Sequence, residues 1–131
     1  MRRTIDVPEL APPPGYSDVV EVSGARLVFI AGQTALDRDG NLVGGSDIEA
    51  QADQAFRNLG YALNAAGCTA RDLVKLTVFV RDMAGLPRYR KARDRFLGSV
   101  EPSAAPAITL VEVSKLFRTD LLIEIEAVAA S

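Results

Sequence analysis

The most regular alternation of apolar and polar positions closes the chain, where Leu121 to Ala129 reads L-L-I-E-I-E-A-V-A. A period of two puts Leu121, Ile123, Ile125, Ala127 and Ala129 on one strand face and Leu122, Glu124, Glu126 and Val128 on the other. Two carboxylates therefore stand side by side on an otherwise apolar strand. Burying a carboxylate without a partner is costly, so each needs an assignment. Three are open: exposure to water, an ion pair with a basic residue of a neighbouring strand such as Arg26 or Lys75, or the chemistry of a pocket.

Earlier in the chain the pattern alternates between strand and helix periods. Asp18 to Ser23 and Ala25 to Ala31 read as two strands around Ser23-Gly24, rich in β-branched residues. Gly32-Gln33 follows the apolar run directly, and a glycine there points to a bulge or a close backbone approach. Asp39-Gly40 is a tight-turn pair, so Thr34 to Val43 forms a short excursion. Ser46-Asp47-Ile48-Glu49 has the form of a capping box and opens a helix. Ile48, Ala52, Ala55, Leu59, Ala62, Leu63 and Ala66 then recur at three- and four-residue spacing up to Gly67, which is placed to end the helix in the left-handed conformation. Leu73 to Val80, almost continuously apolar, predicts a central strand. A second helix is expected from about Leu86 to Leu97, with Leu86, Tyr89, Ala92 or Arg93, Phe96 and Leu97 inward and Gly98 as its stop. Ala107 to Val113 completes the strands.

Residues 1–15 form an extended N-terminal arm, because Pro12, Pro13 and Pro14 favour polyproline geometry and donate no backbone hydrogen bonds. The rest of the order, strand pair, helix, strand, helix, strand pair, predicts a single α+β domain over residues 1–131. Two helices would pack on one face of a mixed sheet. Nothing else in the chain is left to cover the opposite face, so a second copy of the same sheet is the natural cover and a homo-oligomer follows.

Composition narrows the chemistry. The chain has no histidine, which excludes a Ser-His-Asp or Cys-His nucleophile within one chain and removes the commonest transition-metal ligand. General acids and bases must come from Glu, Asp, Lys, Tyr or Cys. The lone Cys68 forms no intrachain disulfide and no thiolate cluster, so neither a metal nor a redox site is predicted. The formal charge of -2 offers no global attraction to nucleic acid or membrane. Its one local exception is the basic outer face of the second helix, where Arg81, Arg88, Arg90, Lys91, Arg93 and Arg95 are offset by only Asp82 and Asp94. Met1-Arg2-Arg3 is not followed by an apolar segment, and no run approaches membrane-spanning length, so a cytoplasmic protein is expected.

Several stretches together resemble the Rid family, the reactive intermediate deaminases also called the YjgF family. They are A-G-Q (Ala31 to Gln33), D-I-E-A-Q-A-D-Q-A-F-R-N-L (Asp47 to Leu59), A-A-G (Ala65 to Gly67), D-L-V-K-L-T-V-F-V-R-D-M (Asp72 to Met83), Pro106-Ala107, V-E-V (Val111 to Val113) and I-E-I-E-A-V-A (Ile123 to Ala129). The resemblance runs from Tyr16 through Ala129. It implies a chorismate-mutase-like fold assembled as a homotrimer, with pockets in the clefts between subunits. It also implies hydrolysis of reactive imines and enamines to ketoacids and ammonia without a cofactor. An imine carbon is already electrophilic, so the reaction needs an activated water, a proton route to nitrogen and an anchor for the substrate. Glu124 matches the family glutamate that handles water or the proton, and Tyr16 matches the tyrosine of the pocket wall.

The sequence also departs from the best-known branch of that family. There, Pro-Ala is followed by an arginine that grips the substrate carboxylate; here Ile108 stands in its place. Such a charge-assisted contact is worth about 1.5 to 3 kcal/mol. The pocket cysteine of that branch is matched by Leu110, and the serine before Gly32 by Ala31, which makes the expected pocket more apolar. A family asparagine on the second helix is matched by Arg90, which is expected to replace part of the lost cation. Two further readings stand beside a deaminase: a non-catalytic trimer that binds a small molecule or partner, and an endoribonuclease, for which the basic helix is the only support.

Overall fold

In the computed structural model, which describes residues 1–131, the chain runs β1 (Arg2–Ile5), β2 (Val19–Val22), β3 (Leu27–Gln33), α1 (Ile48–Ala65), β4 (Leu73–Val80), α2 (Leu86–Phe96), β5 (Ala107–Glu112) and β6 (Ile123–Ala130). Four strands form the main sheet in the order β3-β6-β4-β5, with β4 and β5 parallel and the other neighbours antiparallel. The fold is therefore α+β with a mixed sheet, as the order of elements predicts. β4 is central, and from Leu76 onward its burial alternates with a period of two, after a register shift between Leu73 and Lys75.

One face of the sheet carries the core. Leu76, Val78, Val80, Ile123, Ile125, Ala127 and Ala129 are all buried there against Ala52, Ala55, Phe56, Leu59 and Leu63 of α1 and Tyr89 and Ala92 of α2. Phe56 stacks on Phe96 at 4.9 Å and on Tyr89 at 6.1 Å between ring centroids, which locks the two helices together. The expected parity of the last strand holds throughout. Leu121 keeps that parity and is fully buried, although β6 begins only at Ile123.

The late start of β6 has a cause on α1. Gln51 is fully buried, and its amide donates to the carbonyls of Gly45 (2.7 Å) and Asp120 (2.9 Å) while accepting from the Leu122 N–H (2.9 Å). A side chain thus takes the bond that a strand neighbour would otherwise make. Asn58 does the same for the excursion after β3, donating to the carbonyls of Thr34 and Leu36 at 2.8 Å each. Both loops are tied to α1 through side-chain amides, that of Gln51 buried and that of Asn58 half-buried.

Three sequence expectations need correction. The first helix is capped by Asp47, whose carboxylate accepts from the N–H groups of Glu49 and Ala50, so the box between Ser46 and Glu49 does not form. Glu49 is drawn instead to the basic residues of α2, pairing with Arg95 at 2.9 Å and Arg88 at 3.6 Å. Residues 1–15 are not a simple extended arm: Arg2–Ile5 pairs antiparallel with β2 in a small second sheet, held beside the domain by Arg2 donating to the carbonyls of Leu73 and Ala104, and a turn follows in which the Leu10 N–H donates to the Val7 carbonyl. Finally, neither basic residue considered for Glu124 and Glu126 pairs with them. Lys75 turns toward β5 and donates to Thr109 Oγ1 at 2.6 Å, and Arg26 donates to the Ala66 carbonyl and Ser131 Oγ.

The basic face of α2 is partly neutralised. Arg88 pairs with Asp47 at 2.8 Å and Arg95 with Asp53 at 2.8 Å, both across the helix–helix surface. No helix is long and apolar enough to cross a membrane.

Candidate functional site

Glu124 sits opposite Phe79 of β4, on the sheet face turned away from the helices, and is half-buried there. Its setting depends on β3. The β3–β6 ladder slips between Ile30 and Gln33, so Ala31 and Gly32 form a bulge opposite a single residue of β6. The Glu124 side chain lies across that bulge. A Cβ on Gly32 would stand 2.4 Å from Glu124 Oε2 and 2.8 Å from its Cγ, closer than any side chain can approach. Glycine is needed here for space, since the backbone of Gly32 is not among those with positive φ. The chain's ion pairs include neither Glu124 nor Glu126, and Glu126 is exposed. Beside Gly32 opens a groove of about 850 Å³ that runs past Arg57 and Asn58 to Tyr61 and Phe117, two aromatic rings left mostly in water.

A second cavity, of about 270 Å³, lies beneath α2 at the β5 edge of the sheet. Its floor is Ile108 and Leu110, which stand level with Leu76 and Val78 of β4 and so face the helix side. Tyr16 closes one end, because the next residue, Ser17, is pinned through its N–H to the Pro106 carbonyl at 2.9 Å and through its hydroxyl to that of Ala105. Met83 and Leu86 supply the other apolar walls, and Tyr89, Arg90 and Arg93 the roof.

The roof carries the electrostatics. Tyr89 is 1% exposed and its hydroxyl has no hydrogen-bond partner in the chain. Burial pushes its pKa up to about 12, against the opposing pull of the Arg93 charge, so it stays protonated and can donate. Arg93 is 7% exposed and pairs with Asp94 through Nε and Nη2, both at 3.1 Å. Gly15, at φ +85°, arches over it so closely that a Cβ would fall 2.4 Å from Arg93 Nη2. Arg90, one helical turn from the buried arginine, is exposed at the rim.

The seven residues singled out from the sequence thus fall into two groups within one chain. Tyr16, Arg90, Ile108 and Leu110 line the cavity under α2. Ala31, Gly32 and Glu124 gather on the opposite face of the sheet. Sequence reasoning did not single out Tyr89 and Arg93 as pocket residues. The available signal was Arg93 falling on the apolar stripe of α2, where a charge needs a reason to be buried. No group of three His, Cys, Asp or Glu side chains converges as a metal site requires.

Comparison with known proteins agrees with this architecture. The family profile described as Endoribonuclease L-PSP matches residues 8–131. A mouse protein named 2-iminobutanoate/2-iminopropanoate deaminase is 39% identical over 116 residues, covering 87% of this chain and 79% of its own. The 3-aminoacrylate deaminase RutC of Acinetobacter baylyi is 30% identical over 129 residues, covering 98% of each chain. Among solved structures, YyfB of Yersinia pestis, from the conserved Rid protein family, superposes with a TM-score of 0.89 at 36% identity, covering 99% of this chain and 98% of that one. On the profile match, these relatives and the shared fold, the chain belongs to the Rid (YjgF) family.

Proposed function

We propose that this protein is a cofactor-independent imine or enamine deaminase, working as a homotrimer whose pockets lie between subunits and in which Glu124 handles water. The observation that carries this reading is the Glu124 carboxylate, half-buried, free of ion pairs and accommodated only because Gly32 lacks a side chain. A carboxylate held in that way is available to orient a water and accept its proton. The water oxygen bonds to the imine carbon, the C=N electron pair moves to nitrogen, and the proton held by Glu124 is delivered to that nitrogen. In the collapse of the resulting carbinolamine Glu124 takes the hydroxyl proton and returns it to the amine nitrogen, the C=O bond forms, the C–N bond breaks and ammonia leaves. An enamine joins the same route after protonation at carbon. Two relatives bear the names of deaminases of this class.

The trimer is supported by the surface the sheet leaves bare. On the face opposite the helices Phe29 is 76% exposed with Leu27 exposed on the same edge strand, and Val111 is exposed on β5 at the other edge. A patch of that kind is a candidate for cover by another copy. Such an assembly also gives Tyr16 and Glu124, which one chain holds on opposite faces, a way to serve one cleft.

The test is ammonia and ketoacid release from freshly generated imines and enamines, charged and uncharged. Acceleration of at least one substrate is expected. A flat result across the panel would leave a ligand-binding trimer, the reading that Ile108 in place of the family arginine favours. Gly32→Ala supplies a second check. The added methyl must push the carboxylate aside, and a misplacement of about 1 Å costs on the order of a hundredfold in rate. Turnover should fall by about that much while the circular dichroism spectrum is unchanged; full activity in this variant would show that the position of the carboxylate is immaterial.

A further inference from the structure

The loss of the family arginine at Ile108 leaves open what this pocket recognises, and the roof of the cavity under α2 answers it. We propose that Arg93 and Tyr89 form the anion-binding end of the substrate pocket, selecting a small carboxylic acid whose aliphatic body rests on Ile108, Leu110 and Leu86. The proposal rests on the deaminase reading only in naming the acid as an imino or oxo acid. Its support is independent of Glu124.

Three observations converge. Arg93 is buried in the cavity wall, and its pairing with Asp94 uses Nε and Nη2, which leaves Nη1 for another acceptor. The Tyr89 hydroxyl is a buried donor with nothing to donate to. A buried unpaired hydroxyl costs free energy, so its persistence in the wall of a cavity marks a place where a ligand completes the bonding. Finally, Arg90 and Arg93 outnumber the single carboxylate beside them, that of Asp94, and both lie close enough to act on Tyr89. The cavity carries a surplus of positive charge at the roof and apolar side chains below.

Size sets the class of acid. At about 270 Å³ the cavity falls below the roughly 300 to 1,000 Å³ of pockets that hold drug-sized molecules. A branched-chain 2-oxo or 2-imino acid suits it: the carboxylate can accept from Arg93 Nη1 and Tyr89 Oη, while the branched end packs on Ile108 and Leu110. Arg90, being exposed and screened by water, attracts the acid to the rim and holds it weakly.

The probes are 4-methyl-2-oxopentanoate and 4-methyl-2-oxopentanamide, of nearly equal size and differing in charge, titrated calorimetrically into the full-length protein. Wild type should bind the acid more tightly than the amide by about tenfold or more, the value of one charge-assisted contact. Arg93→Gln should bring the two probes to parity, and Arg93→Lys should restore part of the preference. Since Arg93 also packs against Gly15, it is this ratio, and not affinity or stability alone, that separates recognition from a structural role. Tyr89→Phe, which removes only the hydroxyl, should weaken acid binding by about threefold to tenfold with the fold unchanged. Equal binding of acid and amide by wild type, or an undiminished preference in Arg93→Gln, overturns the proposal. So does a preference that disappears in Arg90→Ala alone. An intact preference in a wild-type protein that releases no ammonia from any substrate supports the anion site and removes only the deaminase reading.

Discussion

Glu124→Gln is expected to lower the ammonia release proposed for this protein by about 10² to 10⁴-fold, the range for loss of a positioned general acid–base group. Glutamine keeps the size of the side chain, so it still fits across Gly32 and leaves the bulge intact. What it cannot do is accept the proton of the attacking water. Glu124 lies outside the buried core, so stability should change by about 0.5 kcal/mol or less. Steady-state turnover with an unfolding midpoint on the same sample separates the two effects. If Glu124→Gln retained a tenth or more of wild-type turnover, the water would have to be activated elsewhere, and Tyr16 would become the group to examine.

A structural effect is expected at Gln51. Replacement by leucine fills the same space but strands the carbonyls of Gly45 and Asp120 and the N–H of Leu122, each now bonded to the amide at 2.7 to 2.9 Å. Leaving a buried polar group unpaired costs about 1 to 3 kcal/mol. Gly45 and Asp120 are exposed and their carbonyls can turn to water, so the penalty falls mainly on the Leu122 N–H, and a loss of about 1 to 3 kcal/mol is expected, equivalent to roughly 4 to 12 °C in the unfolding midpoint. Because Leu122 precedes Glu124 by two residues, the loosened entry to β6 should also impair catalysis in protein that remains folded. Urea denaturation measures the first effect directly. A loss under about 1 kcal/mol would mean that the 114–122 segment is held by something other than this amide.

The two sites differ in how far each could be read ahead. Gln51 occupies a helix position that the sequence offers only as one more polar residue among the alanines of α1. Its partners are 6, 69 and 71 residues away, and no periodicity encodes them. Glu124 and Glu126 were visible together, because carboxylates on a strand of Ile, Val and Ala are anomalous in their immediate neighbourhood, and the family resemblance then pointed to Glu124. Gly32 was visible for a similar reason, as a glycine that ends an apolar run.

Local patterning by itself determined the element order from β2 onward, the inward parity of Leu121 to Ala129, the central place of β4 and the anomaly of two carboxylates on its neighbour strand, since strand and helix periods are properties of neighbouring residues. The absence of histidine likewise restricted the acid–base chemistry before any folding. Tertiary structure decided the rest: the pairing of Arg2–Ile5 with β2, the choice of Asp47 as cap, the failure of Arg26 and Lys75 to reach the glutamates, and the burial of Arg93 beside an unpartnered Tyr89. Each of those depends on which distant group arrives first at a donor or acceptor. That competition is settled by packing in three dimensions, and the order of residues along the chain does not record it.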